Sequence, residues 1–278
     1  MGTKITTLVE NKAGENRSLG TQHGLSYLIE KNNQLYLFDL GQNDLFLKNA
    51  KILGYDLSQV NKVLISHNHY DHGGGLRSLI NSFTPRELFV HKDFFWEKYG
   101  VNGIKKEYLG SGITENALQN NGIKVKKISG KITYIDDGIF LTADFARETD
   151  FEKKNPRFYV KKGEEFTIDN FRDEIAVGIE TPGGLILLLG CSHPGVVNMV
   201  RSILKTTGKD KIYAILGGTH LVEGGEKRIN ETLNYFQSLD VDHLGFSHCT
   251  GEKAEKLFAE KMAEKFFYNN TGTMIEVN

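Results

Sequence analysis

The segment Ser66-His67-Asn68-His69-Tyr70-Asp71-His72-Gly73-Gly74-Gly75 constrains this chain more than any other. It sets three imidazoles and one carboxylate within six residues, directly after the β-branched run Lys62-Val63-Leu64-Ile65-Ser66. Neutral imidazole and carboxylate together suit zinc, iron and manganese. A single histidine reads as a surface or core residue; this density does not. If the segment leaves the strand as a loop, alternate side chains converge on one ion and their neighbours on a second. His67 and His69 then hold the first ion, and Asp71 and His72 the second. The glycines that follow are expected to let the backbone turn tightly into a helix.

Short apolar runs closed by polar residues recur along the chain. Leu35–Phe38 reads as a strand ended by Asp39, residues 44–53 as a helix, and Glu87–His91 as a strand after a helix at Leu76–Ile80. Residues 92–131 are rich in Lys, Asn and Gly and carry little periodic signal, so they read as an insertion or specificity region. Short strands return at Ile132–Ile135, Ile139–Thr142, Arg157–Val160 and Ile175–Ile179. Leu185–Leu189 is apolar throughout, as a buried central strand requires. The pattern then alternates: a helix at Val196–Leu204, a strand at Ile212–Leu216, a helix near Lys227–Leu239 and a strand at Leu244–Ser247. Next comes a helix at Glu252–Phe267, with Ala254, Leu257, Phe258, Met262 and Phe266 on one face, and a last strand at Met274–Val277. Sheets in both halves, each followed by helices, predict an α/β fold of two sheets packed face to face and covered by helices. One domain over residues 1–278 with an insertion is the reading adopted over two small domains.

Charge narrows the partners. Lys plus Arg is 34 and Asp plus Glu is 35, which gives no general reason to expect nucleic acid or a membrane surface. The lysine-rich stretches Lys124–Lys131 and Lys153–Lys162 read as solvated faces. Two cysteines cannot scaffold a chain of 278 residues, and no apolar run has signal-peptide or membrane-spanning length. A reducing cytoplasm is the expected compartment. Gly217-Gly218 lacks phosphate-loop spacing and reads as a turn.

With these residues in view, the chain resembles the metallo-β-lactamase superfamily, whose second motif, His-x-His-x-Asp-His, is complete at His67, His69, Asp71 and His72. Further segments are similar to one branch: His23-Gly24-Leu25-Ser26, Phe38-Asp39-Leu40-Gly41, Thr149-Asp150-Phe151-Glu152, Gly190-Cys191-Ser192-His193-Pro194-Gly195, Gly217-Gly218-Thr219-His220-Leu221 and His248-Cys249-Thr250-Gly251. That branch is labelled dihydropterin-ribofuranosylaminobenzene-phosphate synthase, or metal-dependent hydrolase of the β-lactamase type. The resemblance implies an αββα sandwich of two mixed sheets with a dinuclear centre at one edge. It also implies His193 as third ligand of the first ion and His248 as the residue completing the second. Zinc is the expected metal, with iron or manganese as alternatives. Cys191 stands where most members have a bridging Asp; a thiolate there changes the softness of the site. In most relatives the third His precedes this strand, so Asp173 or Glu174 is the alternative to His193. His193 is preferred because it and Cys191 are two apart and share a face in an extended chain.

The other histidines divide. His220 ends a strand and is open to three roles: general acid, substrate contact or support for a ligand. His23 is open between substrate contact and structure; His91 and His243 read as structural, and Cys249 as packing. Asp39 is expected to bond a ligand histidine. The expected chemistry is metal-assisted hydrolysis of a small, phosphorylated or lactone-like substrate, with Asp71 orienting the attacking water and His220 the candidate proton donor. Two other readings remain: an oxidoreductase on the same fold, disfavoured because flavodiiron relatives usually carry Glu where this chain has His69 and no flavin-binding segment is read after it, and a metal sensor without turnover.

Overall fold

Period-two patterning decides the layers. In the run Leu185–Leu189 odd and even positions leave in opposite directions. Leu185, Leu187 and Leu189 join the apolar cluster of Val196, Val200 and Phe236, on the helices Val196–Thr207 and Glu226–Gln237. Ile186 and Leu188 join Tyr27, Ile29 and Phe38 of a second sheet. A strand buried on both faces needs an uninterrupted apolar run. The computed structural model that shows this describes residues 2–277.

Two seven-stranded mixed sheets pack face to face. The first runs in the order Met274–Val277, Thr3–Val9, Ser26–Lys31, Gln34–Phe38, Lys62–Leu64, Glu87–His91, Lys124–Ile128. The second runs Phe266–Tyr268, Val241–Ser247, Ile212–Gly218, Gly184–Leu189, Ala176–Thr181, Ile139–Thr142, Thr133–Asp136. Helices Leu45–Ile52, Leu76–Ser82 and Glu115–Asn120 cover the outer face of the first sheet, burying Phe46, Leu79 and Leu118. Helices Val196–Thr207, Glu226–Gln237 and Glu252–Lys261 cover the second. The result is an αββα sandwich. Among the described residues no helix is long and apolar enough to cross a membrane.

The stretch 92–131 divides between two structures. Lys124–Ile128 is the edge strand of the first sheet, parallel to Glu87–His91. Glu97–Asn102 and Lys105–Tyr108 instead join Phe158–Lys162 and Glu165–Ile168 in a separate four-stranded sheet. These short strands show little sequence period because both Lys105–Tyr108 and most of Glu165–Ile168 are exposed.

The helix expected over Glu252–Phe267 stops at Lys261, and Phe266–Tyr268 is a strand parallel to Val241–Ser247. Phe266 nonetheless packs on the same core, its ring 5.9 Å from that of Phe258. An i, i+4 spacing reports which core a residue reaches; it cannot tell a continuing helix from a chain that doubles back onto the same core.

Candidate metal centre

Strand ends supply the centre. Asp39 follows Gln34–Phe38, and the His67–His72 segment follows Lys62–Leu64. Cys191 and His193 follow Gly184–Leu189, His220 follows Ile212–Gly218, and His248 follows Val241–Ser247. These strands pair in parallel within each sheet, so their carboxyl ends point the same way, the edge where open α/β sheets place ligands.

Small residues let the edges converge. A Cβ on Gly190 would lie 2.4 Å from Ser66 Oγ, and one on Gly218 would lie 2.6 Å from Cys249 Sγ. Gly217-Gly218 therefore ends a strand at a close approach and does not form the expected turn. The triplet Gly73–Gly75 leads, as expected, through a turn at Gly74-Gly75 into the helix Leu76–Ser82, but without a special glycine φ. Gly74 and Gly75 have ordinary helical φ of −61° and −65°. Their Cβ atoms would meet the carbonyl oxygens of Gln42 at 2.6 Å and Leu40 at 2.4 Å. Close packing excludes a side chain there. Left-handed φ falls instead on non-glycine residues of the centre: Asp39 (58°), Ser192 (60°), His220 (48°) and His248 (58°). Such conformations cost about 1 kcal/mol or more each and persist where surroundings over-determine them.

The donors meet. Asp71, His72, Cys191 and His248 each place one ligand atom within 4.8 Å of the others, all buried. So do His67, Cys191 and His193, and so do Cys191, His220 and Cys249. Cys191 is common to all three groups; its Sγ lies 3.1 Å from His72 Nε2 and 3.3 Å from His248 Nε2. His69 stands just outside these groups, its ring centroid 4.6 Å from that of His67 and 5.0 Å from that of His193. The segment that carries it is part extended, part helical: Tyr70–Gly73 forms one helical turn with His69 at its N-terminus. Asp173 and Glu174, the alternatives to His193, are engaged elsewhere. Asp173 accepts the Asn68 N–H at 3.0 Å and pairs with Lys98 at 2.5 Å. Glu174 accepts the N–H groups of Ser192 and His193 at 2.5 and 2.8 Å.

Four of the rings are anchored at one nitrogen. His72 Nδ1 donates to Asp39 at 2.6 Å, and Asp39 also accepts from Ser66 N and Oγ at 2.7 and 2.8 Å. His67 Nδ1 bonds Ser66 Oγ at 2.9 Å, His248 Nδ1 bonds Asn11 Oδ1 at 3.1 Å, and His220 Nε2 bonds Glu223 at 3.3 Å. The opposite nitrogens of His67 and His220, with Nε2 of His193, are buried without a partner among the described residues. Buried bare nitrogens are exceptional in a folded protein. A ring anchored at one nitrogen and bare at the other is the arrangement of a metal-ligating histidine. The residues present thus fit divalent ions that accept N, O and S ligands.

Electrostatics agree. Burial holds His67 and His193 well below the usual imidazole range and His69 down to about 3, so these rings are neutral and offer a lone pair. Burial opposes charge on His72 as well, but Asp39 and Asp71 outweigh it and raise the ring to about 9. Burial would raise Asp71, yet His72, His23 and His248 hold it well below the carboxylate range. Burial pushes the Cys191 thiol up; coordination deprotonates such a thiol. His220 rises to about 9 against its burial, through Cys249 and Glu223.

Glu174 supplies a pH test. Burial raises its carboxyl from 4.5 to about 8, against the hydrogen bonds from His193 and Ser192. The folded-state value exceeds the unfolded one, so the folded chain keeps a proton that the unfolded chain releases. Its contribution to stability is complete below the unfolded value and is lost as pH rises through the folded one. Glu174→Gln is expected to flatten the decline in stability of the metal-free protein over that window. Denaturant midpoints at about pH 5, 6.5 and 8 would read it; a slope equal to wild type would assign the decline to another group.

A cavity of about 360 Å³ opens over the donors, lined by His23, Asp71, Cys191, His193, His220 and His248 among others. Its outer wall includes Tyr70, Leu109, Arg157, Phe158, Val222 and Glu223. His23 Nε2 lies 3.0 Å from Asp71 Oδ2. His91 is buried beside Asp144 at 3.4 Å, and the His243 ring lies against Tyr213; neither joins the centre. Cys249, expected only to pack, belongs to a donor group and lines the cavity. Its place next to His248 was the available signal. Asn11, Glu223 and Arg157 carried none, because their relation to the centre exists only after folding.

A family model described as the metallo-beta-lactamase superfamily matches residues 19–200. A protein of Methanocaldococcus jannaschii named 7,8-dihydropterin-6-methyl-4-(beta-D-ribofuranosyl)-aminobenzene-5'-phosphate synthase is 33% identical, over 98% of this chain and 96% of its own. The crystal structure of Tm1679, described as a metal-dependent hydrolase of the beta-lactamase superfamily, superposes with a TM-score of 0.87 at 30% identity, covering 99% of each chain. Zn(2+)-bound PqqB from Methylobacterium extorquens shares the fold, with a TM-score of 0.59 at 12% identity over 99% of this chain and 100% of its own.

Proposed function

Because this chain belongs to the metallo-beta-lactamase superfamily, we propose that it is a dinuclear metal-dependent hydrolase acting on a small ester-like substrate, a phosphate ester, phosphodiester or lactone. The observation that carries the reading is the meeting of Asp71, His72, Cys191 and His248, buried and within 4.8 Å of one another although they come from three distant segments. His67, His69 and His193 would hold one ion and Asp71, His72 and His248 the other, with Cys191 between them. Bound divalent ions would supply Lewis acidity and bring the pKa of a water toward ~7.

The chain's own groups do the rest. Asp71 stays ionised between His23 Nε2 at 3.0 Å and His248 Nε2 at 3.3 Å, so it accepts a hydrogen bond from the attacking water and fixes its direction. His220 lines the same cavity with Nε2 against Glu223. Its raised affinity for protons suits it to hand one to the departing oxygen. Phe158 and Phe171 flank His69 and limit water on that side. The four-stranded sheet, which carries Phe158, is the proposed specificity element of a single-domain enzyme. The synthase name of the M. jannaschii relative, 33% identical, supports a second reading in which the substrate carries a ribofuranosyl phosphate.

Metal analysis combined with p-nitrophenyl phosphate esters and thioesters tests the first reading. His69→Ala is expected to abolish turnover and lower metal content; full activity at normal metal content in that variant would reject the assignment. Bound metal with no turnover across the panel would favour a sensor or the synthase reading.

A further inference from the structure

Arg157 lies where two hollows join. It lines the cavity over the donors and also an adjoining groove of about 200 Å³ bounded by Gly100, Asn102 and Lys105; Leu109 is the other wall they share. Its main chain is fixed, the N–H donating to Asn155 Oδ1 at 3.0 Å and the carbonyl accepting from Val101 N at 2.8 Å. Its guanidinium rests 5.1 Å from the Phe158 ring centre. Among the described residues the one carboxylate it meets is Glu223, at 2.8 Å, and the Arg157 side chain is 54% exposed. A pair this exposed is weakly held.

Glu223 does not depend on Arg157. It also bonds His220 Nε2 at 3.3 Å and the Asn155 side chain. The guanidinium can therefore turn from Glu223 to an incoming oxyanion without leaving a buried charge alone. Its five donors sit in a fixed fork that matches the oxygens of carboxylate and phosphate. Lys98, whose partner Asp173 also holds the Asn68 N–H, is by contrast committed: it is buried, 2.7 Å from Asp169 and 2.5 Å from Asp173. Apart from histidines, Arg157 is the sole cation among the residues lining the cavity. The same wall leaves apolar surface free, with Tyr70 40% and Val222 59% exposed.

We propose that Arg157 is the anion-binding, specificity-determining residue of this cavity, and that the substrate has an apolar body carrying a carboxylate or phosphate apart from the bond that is cut. The second half of this statement rests on the hydrolytic reading; the anion site does not.

Two arms test it on the metal-loaded protein. In the first, kcat/KM is compared for p-nitrophenyl butyrate, the mono-p-nitrophenyl ester of glutarate and p-nitrophenyl 4-phosphonobutyrate. The charged-to-neutral ratio is expected to fall about tenfold or more in Arg157→Met, through KM, and to recover partly in Arg157→Lys. Whichever charged ester loses more identifies the natural anion. The second arm needs no turnover: equilibrium dialysis of glutarate and 4-phosphonobutyrate, with wild type expected to bind one of them about tenfold more tightly than Arg157→Met. Equal affinity of both proteins for both anions overturns the anion site. Absence of turnover on these esters and on the p-nitrophenyl phosphate esters and thioesters, with the dialysis difference present, sinks the hydrolytic reading and leaves the anion site standing.

Discussion

Cys191→Ser is expected to empty the centre. Its sulfur takes part in all three donor groups and lies within 3.3 Å of the Nε2 atoms of both His72 and His248. A hydroxyl is smaller, harder and far less acidic than a thiol, so it cannot stand between two ions as a thiolate can. Loss of contacts that merely support a ligand lowers affinity or activity about 10–100-fold. Loss of a shared ligand should exceed that range, with metal per chain dropping by about half or more. Cys191→Asp is the informative partner, because a carboxylate can bridge. It is expected to keep ions but shift preference from zinc toward manganese, which favours oxygen ligands. Elemental analysis and competition with a metal-ion buffer would measure both. Normal zinc and normal turnover in Cys191→Ser would remove this thiol from the centre.

The second large effect is expected at Asp39, which is not itself a member of any donor group. Its carboxylate is fully buried and receives three hydrogen bonds, from His72 Nδ1, Ser66 N and Ser66 Oγ. Holding the proton on Nδ1 leaves Nε2, toward Cys191, as the nitrogen that gives up its proton to a bound ion. In Asp39→Asn one oxygen becomes an NH2 donor facing His72 Nδ1. The ring must then accept at Nδ1 and carry its proton on Nε2, where it can no longer ligate. Metal affinity should fall about 10–100-fold while the protein stays folded. Asp39→Ala goes further: it leaves up to three buried donors without an acceptor, at about 1–3 kcal/mol each. Equilibrium dialysis against buffered zinc, with a melting curve of the metal-free variant alongside, separates the two consequences. Wild-type affinity in Asp39→Asn would show that the tautomer of His72 is set by something else.

These contacts show where reading the chain was easy and where it failed. His67, His69, Asp71 and His72 are close in sequence, so the local run already pointed to a candidate metal site. The apolar run Leu185–Leu189 likewise gave a central strand, because its period is a property of neighbouring residues. Phe266 misled, since helical spacing and a strand folding back onto one core place it alike. The glycines after His72 do mark the turn into the next helix, but not why glycine is required there. Sequence can say that a position lacks a side chain, but not that the backbone carbonyls of Leu40 and Gln42 lie against it.

The order of residues along the chain determined the histidine-rich loop after its strand, the alternation of strands and helices, and the resemblance those segments carry. Each depends on neighbours within a few positions. Folding alone decided that Asn11 would anchor His248 at a separation of 237 residues, that Glu174 would grip the Ser192–His193 backbone, and that Arg157 would face the cavity. Those partners are chosen by how two sheets and an accessory sheet pack. Packing brings distant positions within bonding distance and leaves no trace in local spacing.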